Sequence, residues 1–148
     1  MILLRTRHSL EFNPLSSRLD PDLSPYADSY EDYKTKRQDL GRLVGTNDFV
    51  WCIPASRDFR HYEIIKPVEW VIQVRDSRIR GYICDQSWFD YLEGRRPSLE
   101  GAYFTDNPPE NEYSVLVDYP LQQDEIKAMR VFRFIDPDHA DILCEKHS

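Results

Sequence analysis

Hydrophobic and polar positions alternate along much of this chain, and the alternation predicts a protein built largely of short β-strands. The apolar run at residues 2–4 indicates a buried strand over residues 1–6. Period-two patterns rich in β-branched and aromatic residues predict further strands at residues 48–53, 62–66, 68–74, 78–83, 113–118 and 130–135. Asp76 and Ser77 separate two of these segments, so a β-hairpin is expected there.

Apolar residues at helical spacing predict one long helix over residues 26–44, which ends at Gly45. Tyr26, Tyr30 and Tyr33 form one face of its first half. Two interpretations of this face are open. It packs against the sheet as the apolar side of an amphipathic helix, or it lines a ligand cleft with aromatic rings.

Shorter helices are predicted later in the chain. Residues 85–93 form a helix that Gly94 ends, and residues 121–128 form another that follows Pro120. The sequence DPDHAD at residues 136–141 matches neither a calcium nor a zinc pattern, so it predicts a capped turn into a terminal helix and no metal site.

The order of these elements predicts an α+β fold. Residues 1–148 are expected to form a single compact domain with a mixed, mostly antiparallel sheet, one long tyrosine-rich helix and two or three short helices. Strands and helices interleave, but consecutive strands in the middle of the chain argue against a doubly wound parallel sheet.

The amino-acid composition favours a protein that binds a ligand or a partner. Hydrophobic residues make up 41% of the chain and aromatic residues 13%, with nine Tyr and three Trp. Tyr and Trp favour surfaces that are partly apolar and partly wet, such as clefts and interfaces. The length of 148 residues is sufficient for one hydrophobic core.

The net charge of −7 argues against a general duplex-binding surface, which needs clustered Lys and Arg. Acidic residues dominate outside residues 56–96, where basic and acidic residues nearly balance. Within that stretch a local basic face is a third, weaker hypothesis, for a nucleic-acid enzyme or an RNA-binding domain. Its candidate residues are Arg57, Arg60, His61, Arg75, Arg78 and Arg80.

The cysteines and the N-terminal residues bear on location. Cys52, Cys84 and Cys144 are an odd number without metal-type spacing, which favours a reducing cytoplasm. The apolar run at residues 2–4 is too short for a signal peptide or a membrane span. We therefore expect a cytoplasmic protein that does not cross a membrane.

The spacing of ionisable groups that most strongly suggests a functional site lies in the loop before the strand at residues 113–118. Glu110 and Glu112 are two positions apart, so in an extended strand entrance both carboxylates face one cleft. Such a pair can hold a ribose hydroxyl, stabilise an oxocarbenium ion or act as a base. It can equally be an acidic loop tip. Tyr103 and Phe104 offer aromatic rings nearby.

An aromatic loop followed by Glu-x-Glu at the start of a hydrophobic strand resembles the toxin-type ADP-ribosyltransferases, and the segment is similar to the C-terminal part of DarT-like toxins. The residues that carry the resemblance are Glu112 and the strand YSVLV after it, then Pro120 and Ile126. The match covers about 25 residues.

The resemblance implies an enzyme that uses NAD as a substrate to modify a macromolecular target, protein or nucleic acid. Glu112 would be catalytic, and Glu110 would orient the acceptor. Arg5 or His8 would take the place of the family's NAD-binding Arg or His. NAD would lie between the tyrosine helix and the sheet, and the aromatic candidates for its binding are Tyr30, Tyr33, Tyr103 and Phe104.

A second hypothesis needs no catalysis. The charge of −7 and the tyrosine-rich composition also fit an acidic binding protein that neutralises a macromolecular partner, as inhibitors, immunity proteins, antitoxins and phage anti-defence proteins do. A deep pocket that joins Arg5 or His8 to Glu112 would favour the enzyme, and a flat acidic surface would favour the binding protein.

Overall fold

The α+β class is confirmed in the computed structural model, which describes residues 1–7, 15, 27–54, 68–110, 112–133 and 143–147. These residues contain two α-helices and eight strands, and every strand pairing among them is antiparallel. The helices are α1 (Tyr30–Val44) and α2 (Asp85–Leu92). The strands are β1 (Ile2–Arg7), β2 (Phe49–Pro54), β3 (Val68–Gln73), β4 (Ile79–Cys84), β5 (Tyr103–Phe104), β6 (Tyr113–Asp118), β7 (Ile126–Arg133) and β8 (Leu143–His147).

The strands are arranged in one sheet in the order β5-β4-β6-β2-β1-β3-β7-β8. The N-terminal strand β1 lies near the middle, between β2 and β3. On one side of it, β2 pairs with β6 and β6 with β4. On the other side, β3 pairs with β7 and β7 with β8. Most neighbours in the sheet are therefore distant in sequence.

Local chemistry defines both ends of α1. The Ser29 hydroxyl accepts a hydrogen bond from the Asp32 N–H at 3.0 Å and caps the helix, and Glu31 and Asp32 complement the positive end of its dipole. Gly45 ends the helix in the left-handed conformation, with φ of 94°. Its N–H donates to the Gly41 carbonyl at 2.9 Å, which satisfies one of the last carbonyls.

Helix α2 follows β4 without a loop and packs against α1. The Lys36 ammonium donates to the Leu92 carbonyl at the end of α2 (2.9 Å) and pairs with Asp32 at 3.1 Å. Trp88 and Leu92 are fully buried beneath the helices. Each such apolar side chain contributes about 1.5–3 kcal/mol when it leaves water, so α2 is held mainly by burial.

The central strands bury both faces. Alternate residues of β2 enter two separate clusters, Phe49 and Trp51 on the helix side and Val50 and Cys52 on the opposite side. The helix-side core is covered by α1 and α2 and comprises Leu40, Phe49, Trp51, Ile83, Trp88, Leu92, Leu99, Ala102 and Leu116. The inner core comprises Leu3, Val50, Cys52, Ile72, Val74, Tyr82, Val115, Val117 and Leu121.

The predicted hairpin between residues 68–74 and 78–83 is wrong. Strand β3 pairs with β1 and β7, whereas β4 pairs with β5 and β6. The intervening Asp76–Arg78 forms a 3₁₀ turn. After it the chain enters β4, which lies on the opposite side of β1 from β3 in the strand order. A turn signal shows where a strand ends, but the partner of that strand is chosen by long-range packing.

Two of the predicted helices are also wrong. Residues 121–128 contain a single 3₁₀ turn, Gln123–Glu125, and the chain then enters β7 at Ile126. Pairing with β3 outweighs the helical spacing of this short segment. Leu143–His147 forms β8 against β7 instead of the expected terminal helix.

Other predicted elements agree with the structure or fall outside it. The strands near residues 1–6, 48–53 and 113–118 and the helix near 85–93 are confirmed as β1, β2, β6 and α2. The helix expected over residues 26–44 begins later, at Tyr30, because Ser29 caps it in an extended conformation, and Tyr26 lies outside the described residues. The strand expected at residues 62–66, the turn at 136–141 and the candidates Arg57, Arg60 and His61 lie outside the described residues.

Candidate functional site

The predicted carboxylates lie at the N-terminal end of β6. Glu110 and Glu112 are both exposed. The Glu112 carbonyl accepts a hydrogen bond from the Asp85 N–H at 3.1 Å, where α2 begins. This bond fixes the main chain of Glu112 against α2 and leaves its side chain accessible to solvent.

A buried pair, which sequence reasoning missed, supports this end of the strand. The Ser114 hydroxyl donates to Asp85 Oδ1 at 2.7 Å, and both residues are buried. An N-terminal cap is the role that a sequence pattern suggests for Asp85, but the N-cap position of α2 is Cys84, and Asp85 accepts a hydrogen bond from a side chain 29 residues away. The signal that could have found it is Ser114, a polar residue within an apolar strand, because a buried hydroxyl needs a partner.

Tyr103 and Phe104 form β5 at the edge of the sheet and face opposite cores. Phe104 packs against the inner core, while Tyr103 packs against the helix-side core and donates its hydroxyl to the Arg80 carbonyl at 2.5 Å. Burial raises the pKa of Tyr103, and the nearby Arg80 charge partly opposes that rise. The ring also lies over Gly81, where a Cβ would come within 2.3 Å of it. Tyr103 therefore has a structural role at this edge.

Tyr30 and Tyr33 are adjacent on α1, with ring centroids 6.5 Å apart and planes 24° apart. Tyr30 is 60% exposed, and the Lys34 ammonium lies 4.8 Å from its ring centroid. Tyr33 is half-buried and packs against the helix-side core. The first of the two interpretations thus applies to Tyr33, whereas Tyr30 offers its ring to solvent.

Arg5 lies in β1, which is separated from β6 by β2. Its main chain pairs with Trp70 in β3. The side chain of Arg5 and the whole of His8 lie outside what the structure describes, so the predicted pocket between Arg5 or His8 and Glu112 remains a prediction.

Two clefts on the described surface stand out, and none of the residues predicted for the catalytic or NAD site lines either of them. Arg75 and Arg78, candidates for the basic face, line the first cleft. The first, here called the arginine cleft, has a volume of about 410 Å³. It lies between the turn after β3 and the turn before β7, and it is lined by Gln73, Val74, Arg75, Arg78, Gln122, Asp124, Glu125 and Lys127.

Arg78 is the structural centre of the arginine cleft. Its guanidinium donates to both carboxylate oxygens of Glu125, at 3.0 and 3.2 Å, and to the main-chain carbonyls of Asp118 and Pro120 at 3.1 and 2.7 Å. Arg80 pairs with the Asp118 carboxylate. The basic segment predicted at Arg75, Arg78 and Arg80 is therefore largely neutralised by carboxylates of the β6–β7 region.

The second cleft, here called the α1 groove, has a volume of about 430 Å³ and is lined by Asp39, Arg42, Leu43, Tyr91, Pro97, Ser98, Leu99 and Glu100. The Tyr91 hydroxyl donates to Asp39 Oδ2 at 2.5 Å, and Arg42 pairs with the same carboxylate. Burial raises the pKa of Tyr91; the positive charge of Arg42 partly opposes this rise, and the negative charge of Asp32 adds to it. Leu43 stays 42% exposed.

Ion pairs take up most of the cations among the described side chains. The pairs are Lys34–Glu31, Lys36–Asp32, Arg42–Asp39, Arg78–Glu125, Arg78–Asp118, Arg80–Asp118, Arg95–Asp90 and Arg95–Glu93. In the same described part of the chain, the exposed carboxylates that form no ion pair are Asp28, Asp76, Glu100, Asp106, Glu110 and Asp124. The exposed cations without an ion pair are Arg75 and Lys127. The unpaired charge is mainly negative.

Metal and membrane features are limited to what the described residues show. Within them, no group of His, Cys, Asp and Glu has a metal-binding arrangement, and no helix has the length and apolar character needed to span a membrane. Cys52 and Cys84 are buried and form no disulfide.

No protein-family model matches this chain, and neither the curated proteins nor the solved structures include a match to it.

Proposed function

We propose that this protein is a non-enzymatic binding protein of the cytoplasm, which uses an acidic surface to neutralise a basic macromolecular partner. The observation that carries the proposal is the set of exposed carboxylates that the internal ion pairs leave without a cation. Such charges attract a partner of opposite sign over about a Debye length, roughly 8–10 Å at physiological salt, and raise the association rate.

The segment that joins α2 to β6, residues 93–112, is the acidic surface that we assign to this contact. It carries five acidic and two basic residues. Arg95 is paired with Asp90 and Glu93, and Arg96 is hydrogen-bonded to the Ser98 and Glu100 carbonyls. Arg95 therefore offsets Glu93, and the part of the segment after Arg96 carries four carboxylates and no further cation.

The same segment borders the α1 groove, which supplies apolar contact area. The exposed Pro97 lines the groove from one side, and the exposed Leu43 lines it from α1. Stable interfaces combine a desolvated apolar centre with a charged rim. The partner expected here presents Lys or Arg beside an apolar side chain.

A pair of charge reversals tests this assignment. Asp106→Lys with Glu110→Lys changes the acidic segment, and Asp76→Lys with Asp124→Lys makes the same change of net charge at the arginine cleft. A stoichiometric partner is first captured from a lysate of the source cells at low and moderate salt, and its association rate is then measured on each variant.

We expect the variant of residues 106 and 110 to slow association by about tenfold or more, and the control to slow it much less. If no stoichiometric partner is captured at either salt concentration, or if both double variants slow association equally, the proposal fails.

A second candidate function is an ADP-ribosyltransferase-like enzyme that uses NAD to modify a macromolecular target. The observation that favours it is the position of Glu112, whose main chain is anchored to Asp85 while its side chain is exposed at the entrance to β6. A fixed carboxylate stabilises the oxocarbenium-like state formed when the nicotinamide glycosidic bond breaks. In this proposal Arg5, His8 and the tyrosine-rich first half of the α1 region hold NAD.

Purified protein incubated with NAD and a source-cell lysate distinguishes the two functions. For the enzyme, Glu112→Gln lowers NAD consumption or target modification by roughly 10²–10³-fold, whereas the control Glu100→Gln leaves it unchanged. Unchanged activity in Glu112→Gln, or no NAD consumption by the unmodified protein, excludes this candidate and leaves the binding function standing.

A further inference from the structure

The arginine cleft combines a hydrogen-bonded floor with cations that have no ion-pair partner among the residues that the structure describes. Its volume of about 410 Å³ lies within the range of small-molecule sites, roughly 300–1,000 Å³. It is independent of the acidic segment assigned to the basic partner, because its lining comes from the turn after β3, the 3₁₀ turn at Gln123–Glu125 and the start of β7.

The floor of the cleft is the Arg78–Glu125 pair. The two side chains form a two-pronged hydrogen-bonded ion pair, and Glu125 also accepts the Gln122 N–H at 2.7 Å. The Glu125 side chain is 9% exposed, and that of Arg78 is 25% exposed. Because its charges cancel and its hydrogen bonds are satisfied, the floor holds the cleft in shape without repelling an anion.

The rim carries Arg75 and Lys127, which are exposed and form no ion pair or hydrogen bond among the described side chains. Lys127 is the extra residue of a β-bulge, since Ala128 pairs with Val71 and Ile126 pairs with Ile72. A bulge re-aims a side chain out of the regular alternation of a strand. Like charges that line one cleft repel each other, and a bound anion removes that repulsion.

The remaining polar groups restrict the ligand to a small one. Gln73 is exposed at the edge of the cleft with an amide that can donate or accept hydrogen bonds. Asp124 adds one exposed carboxylate without an ion pair. This negative charge disfavours a polyanion, and it favours a ligand that places a hydroxyl or amino group beside its anionic group.

We propose that the arginine cleft binds a small anion that carries a single phosphate or carboxylate group, held between Arg75 and Lys127. The Arg78–Glu125 pair positions the walls and does not contact the charge of the ligand.

Isothermal titration at low salt tests the site with inorganic phosphate, adenosine monophosphate and acetate as separate probes. The site variant is Arg75→Gln with Lys127→Gln. The matched control is Lys34→Gln with Arg95→Gln, which removes two exposed cations outside the cleft. Circular dichroism confirms that both variants are folded.

We expect saturable one-to-one binding of at least one probe, weakened about tenfold or more in the site variant and about twofold or less in the control, as the loss of charge-assisted contacts predicts. Asp124→Asn is expected to tighten binding of inorganic phosphate or acetate. Absence of saturable binding by all three probes, equal weakening in both double variants, or binding of an oligonucleotide alone would overturn the proposal.

Discussion

Strand β6 (Tyr113–Asp118) has acidic residues at both ends, and their environments differ. At the C-terminal end, Asp118 pairs with Arg80, and nearby Glu125 is clamped by Arg78. At the N-terminal end, Glu110 and Glu112 are exposed, and the buried contact is made instead by Asp85 and Ser114. Carboxylates of the same chemical type are thus structural at one end and accessible at the other.

The difference follows from where the cations lie. The turn after β3 and the start of β4 bring Arg78 and Arg80 against the end of β6, whereas the sequence has no basic residue between Arg96 and Glu112. A carboxylate that is desolvated must be paired, but an exposed one remains hydrated at little cost. Exposed carboxylates such as Glu110, which forms no ion pair among the described residues, are consequently the ones available to a partner or substrate.

The largest loss of stability is expected from a substitution at the C-terminal end of β6. Arg78→Met should lower the free energy of unfolding by about 2–3 kcal/mol, because it leaves the buried Glu125 carboxylate without its cation. The control Arg75→Met removes an exposed, unpaired arginine from the same cleft and should cost about 0.5 kcal/mol or less. Urea denaturation measures both. Equal costs would show that the clamp contributes nothing.

The second largest loss of stability is expected when the buried hydrogen bond between Ser114 and Asp85, at the N-terminal end of β6, is removed. Ser114→Ala leaves Asp85 without the hydroxyl that donates to it at 2.7 Å, so a loss of about 1–2 kcal/mol is expected by urea denaturation. Ser98→Ala, at an exposed position, should change stability by about 0.5 kcal/mol or less. A neutral Ser114→Ala would mean that Asp85 does not depend on this contact.

Tyr103 links the C-terminal end to the edge of the sheet, because its hydroxyl is bonded to the Arg80 carbonyl. Tyr103→Phe should cost about 1 kcal/mol at neutral pH. Burial raises the pKa of Tyr103 in the folded protein, so the folded state holds this proton more tightly than the unfolded chain does. The resulting stability is complete below the unfolded pKa of about 10 and is lost as the pH rises through the folded pKa.

Denaturation midpoints across the alkaline range check the sign. We expect the stability of the unmodified protein to fall more steeply above pH of about 10 than that of Tyr103→Phe. Parallel curves would contradict a contribution from this hydroxyl.

The smallest effect on stability is expected for the exposed glutamates. Glu110→Gln with Glu112→Gln should change the free energy of unfolding by about 0.5 kcal/mol or less, since both side chains are hydrated in the folded protein. Asp118→Asn at the other end of β6 should cost more. If the glutamate variant were the less stable of the two, the contrast between the ends of the strand would be lost.

Segments with a strong local signal were predictable. Alternation located β2 and β6, and helical spacing with Gly94 behind it located α2. Gly45 marked the end of α1, because the left-handed conformation found there has little steric cost only for glycine. Glu110 and Glu112 were correctly placed before a strand, and their exposure is what a polar, proline-containing loop implies.

What the sequence by itself determined is therefore the position of most short elements, because periodicity and end signals act within a few residues. The tertiary structure alone decided the strand order, which separated β3 from β4 and turned residues 126–128 into strand. It also decided which carboxylates received a cation. Pairings such as Arg78 with Glu125 join residues 47 positions apart, and such contacts depend on how the whole sheet packs.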